Sequence, residues 1–188
     1  RVNLARIDRE AVLGQLPEGQ ALPESPAAIR LPTGTAIDGH PLLRDGFAEI
    51  QDLGSQLICD GCAVKPGMKV LDLCAGAGGK TLALAANMQG QGSIIASDTN
   101  RARLNQLLPR AARAHAAGIE TLLLNPGQES AMLADLTGKC DVVLIDAPCS
   151  GSGTWRRNPE TRWRLDPARL KQVVELQARL LDISSEMV

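Results

Sequence analysis

Four short apolar runs alternate with helical segments between Lys69 and Met187, and this alternation restricts the possible folds more than any other feature. The runs are continuous rather than alternately apolar and polar, which is typical of strands buried on both faces of a parallel sheet. Strands separated by helices form parallel crossover units. We therefore predict an α/β fold with a doubly wound, mainly parallel sheet. The predicted strands are 69–74, 93–98, 120–124 and 141–146.

The predicted helices lie between and after these strands. One runs through Met88, one covers 101–117 and the last covers 167–187. Apolar side chains at helical spacing predict a single buried face for the last helix. That face is predicted to contain Leu170, Val173, Val174, Gln177, Leu180 and Leu181.

The first part of the chain has a different composition. Residues 1–45 carry five prolines and only short apolar runs, which predicts a small strand-containing lobe joined by irregular segments, with the main domain at 46–188. The net charge of −1 gives no overall attraction to nucleic acid, so any such binding would need a local patch. No run is long enough for a membrane span. Five scattered cysteines favour a reducing, cytoplasmic location over a disulfide framework.

A carboxylate, a proline and a thiol follow the last apolar run, at Asp146, Pro148 and Cys149. In open α/β sheets, ligands bind outside the carboxyl ends of the strands. A thiol beside a carboxylate can there serve nucleophilic or acid–base chemistry on an electron-poor ring. The alternative is a turn whose cysteine only packs. The motif alone leaves both interpretations open.

The predicted turn after the first strand is rich in small residues. It consists of Cys74, Ala75, Gly76, Ala77, Gly78, Gly79 and Lys80. Glycines let the backbone approach a ligand closely, and the next helix offers free N–H groups. A Walker A loop would require glycine where Cys74 stands, and the dinucleotide pattern would require it where Thr81 stands. A nucleoside or amino-acid-containing cofactor remains possible, as does a simple tight turn.

Asp98 ends the second predicted strand. An acidic side chain there can accept hydrogen bonds from the two hydroxyls of a ribose. The alternative is that Asp98 caps the following helix. Its position after a glycine-rich turn favours the cofactor interpretation.

A basic segment with both tryptophans of the chain follows Cys149. It contains Trp155, Arg156, Arg157, Arg162, Trp163 and Arg164, with Glu160 between them. Arginine binds phosphate and stacks on bases, and tryptophan offers a stacking surface, which suits single-stranded or splayed-out RNA. The alternative is a solvated loop held by its tryptophans. The nearby thiol and carboxylate favour RNA binding.

Cys59 and Cys62 form a CxxC pair, a spacing used for zinc and for redox chemistry. No second pair with zinc spacing follows. We therefore predict that these cysteines pack, and we expect no metal site in this chain.

In combination, these motifs resemble the Nop2/Sun (Fmu-type, RsmB-like) RNA cytosine-5 methyltransferases. The similar segments are 46–56, 70–81 and 146–153, with Arg156, Arg157, Asn158 and Pro159. The resemblance covers about residues 46–183, and residues 1–45 look like the end of the small RNA-binding lobe of that family. It implies a Rossmann-like methyltransferase sheet. A monomer is favoured.

The resemblance implies S-adenosylmethionine as cofactor and a structured RNA, most often ribosomal, as substrate. The implied cofactor-binding residues are Cys74 to Lys80, Asp98, Asn125 and Asp146, and the implied catalytic residues are Cys149, Asp146 and Lys80. The family uses two cysteines. By analogy, one in a later Thr-Cys-Ser tract is the covalent nucleophile, and Cys149 assists product release.

This sequence departs from the family pattern at three points. Ala77 replaces a proline in the cofactor loop, and Asn125 stands where the family generally places an aspartate near the adenine. The Thr-Cys-Ser tract does not occur in the 188 residues. We therefore expect a C-terminally truncated domain that does not methylate. An alternative is a non-catalytic RNA-binding or assembly protein on a decayed methyltransferase fold.

Overall fold

A small lobe precedes the central sheet. The computed structural model describes residues 1–156 and 158–188, with the backbone alone at Thr161 and Arg164. The lobe contains α1 (Arg9–Leu13), the antiparallel hairpin β1 (Gln20–Ala21) and β2 (Ile29–Arg30), and α2 (Pro41–Arg44). Its apolar cluster of Val2, Val12, Leu42 and Ala48 extends past residue 45. The division into two domains stays a prediction.

Four parallel strands form the central sheet, in the order β5-β4-β3-β6. They are β3 (Lys69–Asp72), β4 (Ser93–Asp98), β5 (Ile119–Leu123) and β6 (Val142–Leu144). In the middle of the sheet, Val70 pairs with Ile94 on one side and Val142 on the other. The predicted parallel α/β sheet is therefore confirmed.

Six α-helices follow the small lobe in the described residues. They are α3 (Leu53–Gly61), α4 (Gly79–Asn87), α5 (Arg101–Leu104), α6 (Leu107–Ala114), α7 (Glu129–Leu133) and α8 (Pro167–Ser185). Apolar clusters cover both faces of the sheet, one with Leu84 of α4 and its C-cap Met88 and the other with Leu133 of α7 and Leu180 of α8. None of the described helices is long and apolar enough to cross a bilayer.

The helix predicted over 101–117 is broken, and this part of the prediction is wrong. Helix α5 ends at Leu104 and α6 begins at Leu107. Pro109 explains the break, because it has no N–H to donate to the carbonyl four residues earlier and its ring would clash there. The left-handed residue His115, with φ 53°, then ends α6 before Gly118.

The buried face of α8 also differs from the prediction. Val173 and Leu180 are buried and the stripe continues to Ile183 and Met187. The remaining predicted apolar residues, Leu170, Val174 and Leu181, are 45%, 55% and 61% exposed. At 3.6 residues per turn they lie about a quarter turn or more from the buried stripe. The sequence pattern therefore merged two neighbouring stripes.

Candidate active site at the strand ends

A cavity of about 590 Å³ lies at the carboxyl ends of the parallel strands. Cys74 follows β3, Asp98 ends β4, and Asp146 and Cys149 follow β6, and all four side chains line this cavity. They come from three adjacent strands of the sheet. The fold therefore brings together residues that are far apart in sequence, as expected for a ligand site in an open α/β sheet.

Asp98 holds the glycine-rich loop in place. Its Oδ2 accepts a hydrogen bond from the Gly76 N–H at 2.8 Å, and its Oδ1 accepts one from the Asn100 N–H at 2.7 Å. The N-cap of α5 is Asn100, whose side chain accepts from the Arg103 N–H. Asp98 is therefore not that cap. Each of its oxygens has a second lone pair for a ligand hydroxyl.

The loop needs glycine at Gly78. Gly78 has φ 84° and is the N-cap of α4. A Cβ there would lie 2.5 Å from Cγ of Leu107, a fully buried side chain. At Gly79, by contrast, a Cβ would meet nothing within 4 Å.

Two polar side chains from outside the loop, Arg110 and Gln51, donate to its backbone, and a third residue, Glu49, binds one of them. Arg110 Nη1 donates to the Ala77 carbonyl at 2.6 Å, and Gln51 Nε2 donates to the Gly79 carbonyl at 3.1 Å. Arg110 is in turn paired with Glu49 at 2.8 Å. Sequence reasoning missed these contacts, because no motif links Glu49 or Arg110 to the loop.

Lys80 connects the loop to Asp146, which follows β6. Its Nζ lies 2.5 Å from Oδ2 of Asp146, and the Lys80 side chain is 14% exposed compared with 53% for Asp146. Beneath them, Asp72 is fully buried and accepts from Thr81 Oγ1 at 2.6 Å. Burial raises the pKa of Asp72 to about 6, although the hydrogen bond from Thr81 and the charge of Lys80 oppose this.

A family model for the 16S rRNA methyltransferases RsmB/F matches residues 62–188. The chain belongs to this family. It is 30% identical over 187 residues to the ribosomal RNA small subunit methyltransferase B of Salmonella arizonae, spanning 97% of this chain and 42% of that relative.

Two solved structures share the fold. PH0851 superposes with a TM-score of 0.92 and 30% identity, over 100% of this chain and 43% of that one. A methyltransferase homologue from Pyrococcus horikoshii superposes with a TM-score of 0.85 and 27% identity, over 100% of this chain and 59% of that one. The family model confirms the resemblance to the RsmB-like proteins, and the two superposed structures confirm the methyltransferase sheet.

The cysteines of this RsmB/F chain fall into two groups. Cys149 is exposed at the cavity. Burial, followed by the charge of Asp98, raises the pKa of the Cys74 thiol to about 12, and burial likewise raises the pKa of Cys59 to about 12. Cys59 and Cys62 donate to the carbonyls of Lys80 and Ile58, as expected for packed thiols. In the described part of the chain, no three metal-ligating side chains form a cluster.

Asn125 and Glu129 follow β5, but they are placed differently. Asn125 is exposed, its side-chain amide donates to Gln128 Oε1 at 3.2 Å, and it is absent from the described lining of the cavity. Glu129 is 4% exposed and does line the cavity. Sequence reasoning missed Glu129, since residues 125–140 carry no predicted element and the helix α7 that positions it is short.

The tryptophan and arginine segment consists of 3₁₀ turns at Ser152–Thr154 and Pro159–Arg164. Trp163 is 85% exposed. The Arg162 guanidinium lies 5.5 Å from the ring centre of Trp155 and 5.8 Å from that of Trp163. Arg156 is exposed. Arg157 and the side chain of Arg164 lie outside the described residues. The RNA-binding role of the whole segment stays a prediction.

Proposed function

We propose that this chain carries the cofactor and catalytic residues of an enzyme that methylates carbon 5 of a cytosine in small-subunit ribosomal RNA, with S-adenosylmethionine as the methyl donor. The observation that carries this proposal is the shared cavity of Cys74, Asp98, Asp146 and Cys149 at adjacent strand ends. The name of the Salmonella relative supports the RNA class. The chain spans 42% of that relative, so the activity is proposed for the protein as a whole.

The residues around the cavity suit an adenosine-containing cofactor. Asp98 offers carboxylate lone pairs to ribose hydroxyls, and Leu73, Leu124 and Leu180 provide apolar walls for a base. The loop from Cys74 to Lys80 would hold the rest of the cofactor beside Asp146 and Cys149. When bound, S-adenosylmethionine supplies an electrophilic methyl group.

Carbon 5 of cytosine is a poor nucleophile until a thiolate adds to carbon 6. By the family resemblance, this thiolate belongs to the cysteine of the Thr-Cys-Ser tract. The π electrons of the C5=C6 bond then move to carbon 5, which attacks the methyl group. Asp146, which is paired with Lys80, would hold the base at N3 and N4 and stabilise the protonated ring. Cys149 is the second thiol, which assists loss of the carbon-5 proton and release of the nucleophilic cysteine. Lys80 acts through its ion pair with Asp146, so in this proposal it is a positioning residue.

The segment after Cys149 is proposed to bind the RNA. Exposed Trp163 and Arg156 offer a stacking surface and a phosphate contact. The Arg162 guanidinium near both indole rings gives the segment a preformed cation–π arrangement. A cytoplasmic location, where ribosomal RNA is processed, stays part of this proposal.

Replacing Asp98 should weaken cofactor binding. We expect Asp98→Ala to raise the Kd for S-adenosylmethionine about 10- to 100-fold, because the hydrogen bonds of a charged acceptor are lost. Isothermal titration calorimetry on the 188-residue chain measures this. Asp141→Ala is the matched control, since Asp141 also accepts a backbone N–H, that of Lys69 at 2.7 Å, but before β6 and away from the cavity. If the native chain does not bind S-adenosylmethionine, the non-catalytic scaffold is the better hypothesis.

The 188 residues should bind the cofactor without turning over. The proposed reaction needs two thiols at the base, and of the five cysteines only Cys149 is exposed. We therefore expect no 5-methylcytidine when the chain is incubated with small-subunit ribosomal RNA and methyl-labelled S-adenosylmethionine, as measured by nucleoside mass spectrometry. If 5-methylcytidine forms and is lost in Cys149→Ser, Cys149 is itself the nucleophile.

A further inference from the structure

The order of the strands determines which residues lie at each end of the cavity. The sheet runs β6, β3, β4, β5, so Asp146 and Cys149 lie at one side, Asp98 lies further along, and the end of β5 lies at the other side. If the proposed function holds, the reactive methyl group must lie beside Cys149 and the ribose beside Asp98. The base of the cofactor then lies toward β5.

Glu129 is the acidic side chain on that side of the cavity. It is 4% exposed, and its Oε1 accepts from Arg179 Nη2 of α8 at 3.1 Å. The ion pair engages one oxygen, so Oε2 can accept a hydrogen bond from a ligand. Leu124 and Leu180, which are 3% and 4% exposed, line the same side with apolar surface. A flat ring with an amino group at its edge fits these neighbours.

We propose that Glu129 is the residue that selects adenine, by accepting a hydrogen bond from its exocyclic amino group. The inference rests on the proposed function, and it assigns the role to Glu129 rather than to Asn125. Asn125 is exposed and paired with Gln128, whereas Glu129 faces the cavity. A site that offers a fixed acceptor rejects a base that presents an oxygen at that edge, because two acceptors would then face each other.

The test compares two nucleosides that differ at that edge. S-Adenosylhomocysteine carries an amino group where S-inosylhomocysteine carries a carbonyl oxygen. We expect the native chain to bind the adenosyl compound about tenfold or more tightly. In Glu129→Gln this preference should fall to about twofold or less, since an amide can donate as well as accept. Both Kd values are measured by calorimetry, and the ratio is insensitive to a uniform loss of folded protein.

Two further variants separate selection from structure. Arg179→Gln breaks the ion pair and keeps the carboxylate, so it should retain the adenosyl preference. Asn125→Ala should retain it as well. Equal binding of both compounds by the native chain, or an unchanged preference in Glu129→Gln, would overturn the inference while leaving the proposed function intact. Failure of the native chain to bind either compound would overturn both.

Discussion

Gly78→Ala should lower the free energy of unfolding by about 2–4 kcal/mol. Gly78 has φ 84°, a left-handed conformation that is strained for alanine. The added Cβ would also lie 2.5 Å from Leu107 Cγ, and Leu107 is fully buried at the start of α6. The side chain cannot give way without moving α6. Urea denaturation followed by circular dichroism measures the change.

The adjacent glycine is the matched control for this variant. Gly79 is the first residue of α4, and a Cβ there would meet nothing within 4 Å. Alanine is favoured over glycine in a helix, so Gly79→Ala should be neutral or stabilising by up to about 1 kcal/mol. Equal losses in the two variants would mean that the contact with Leu107 does not determine the effect. Gly78→Ala should also weaken S-adenosylmethionine binding, because the loop backbone must shift.

The sheet and the strand-end site were predictable because both depend on local patterns. Continuous apolar runs fix β3, β4 and β6, and parallel strands place their carboxyl ends at one edge whatever the details of the loops. Asp98, Asp146 and Cys149 therefore had to meet, and they line one cavity. The break at Pro109 was also encoded locally, by a residue that cannot continue a helix.

Other features depend on tertiary contacts that no local pattern encodes. The side of α8 that is buried is set by packing of Leu180 and Ile183 against the sheet, so two apolar stripes could not be told apart in advance. Glu129 lines the cavity from the start of α7 and accepts a hydrogen bond from Arg179 of α8, fifty positions away in sequence. A single glutamate in a short helical segment does not indicate from the sequence that its side chain lines a cavity.

The ion pairs of Glu49 with Arg110 and Arg113, which we call the Glu49 clamp, also depend on tertiary contacts. Glu49 is 9% exposed and accepts from Arg110 at 2.8 Å and Arg113 at 2.6 Å. Arg110 also donates to the carbonyl of Ala77, the residue that replaces the proline of the family pattern. Glu49 therefore orients a side chain that holds the loop at that point. Burial by itself would raise the pKa of Glu49, but the hydrogen bonds and charges of the two arginines outweigh it and lower that pKa.

Glu49→Gln should therefore lower the free energy of unfolding at pH 7 by about 3 kcal/mol, because two arginines lose a buried anionic partner. Since the pKa of Glu49 is lower in the folded than in the unfolded chain, its contribution is full above the ordinary glutamate range and is lost as the pH falls through the lowered value. The gap between native and variant proteins, measured by urea denaturation, should thus shrink on acidification. Glu175→Gln, which removes an exposed pair with Lys171, should cost less than about 0.5 kcal/mol at any pH. If the difference in unfolding free energy between native and variant proteins stays constant down to acidic pH, the charge of Glu49 does not stabilise the fold, and only a packing role is left for this residue.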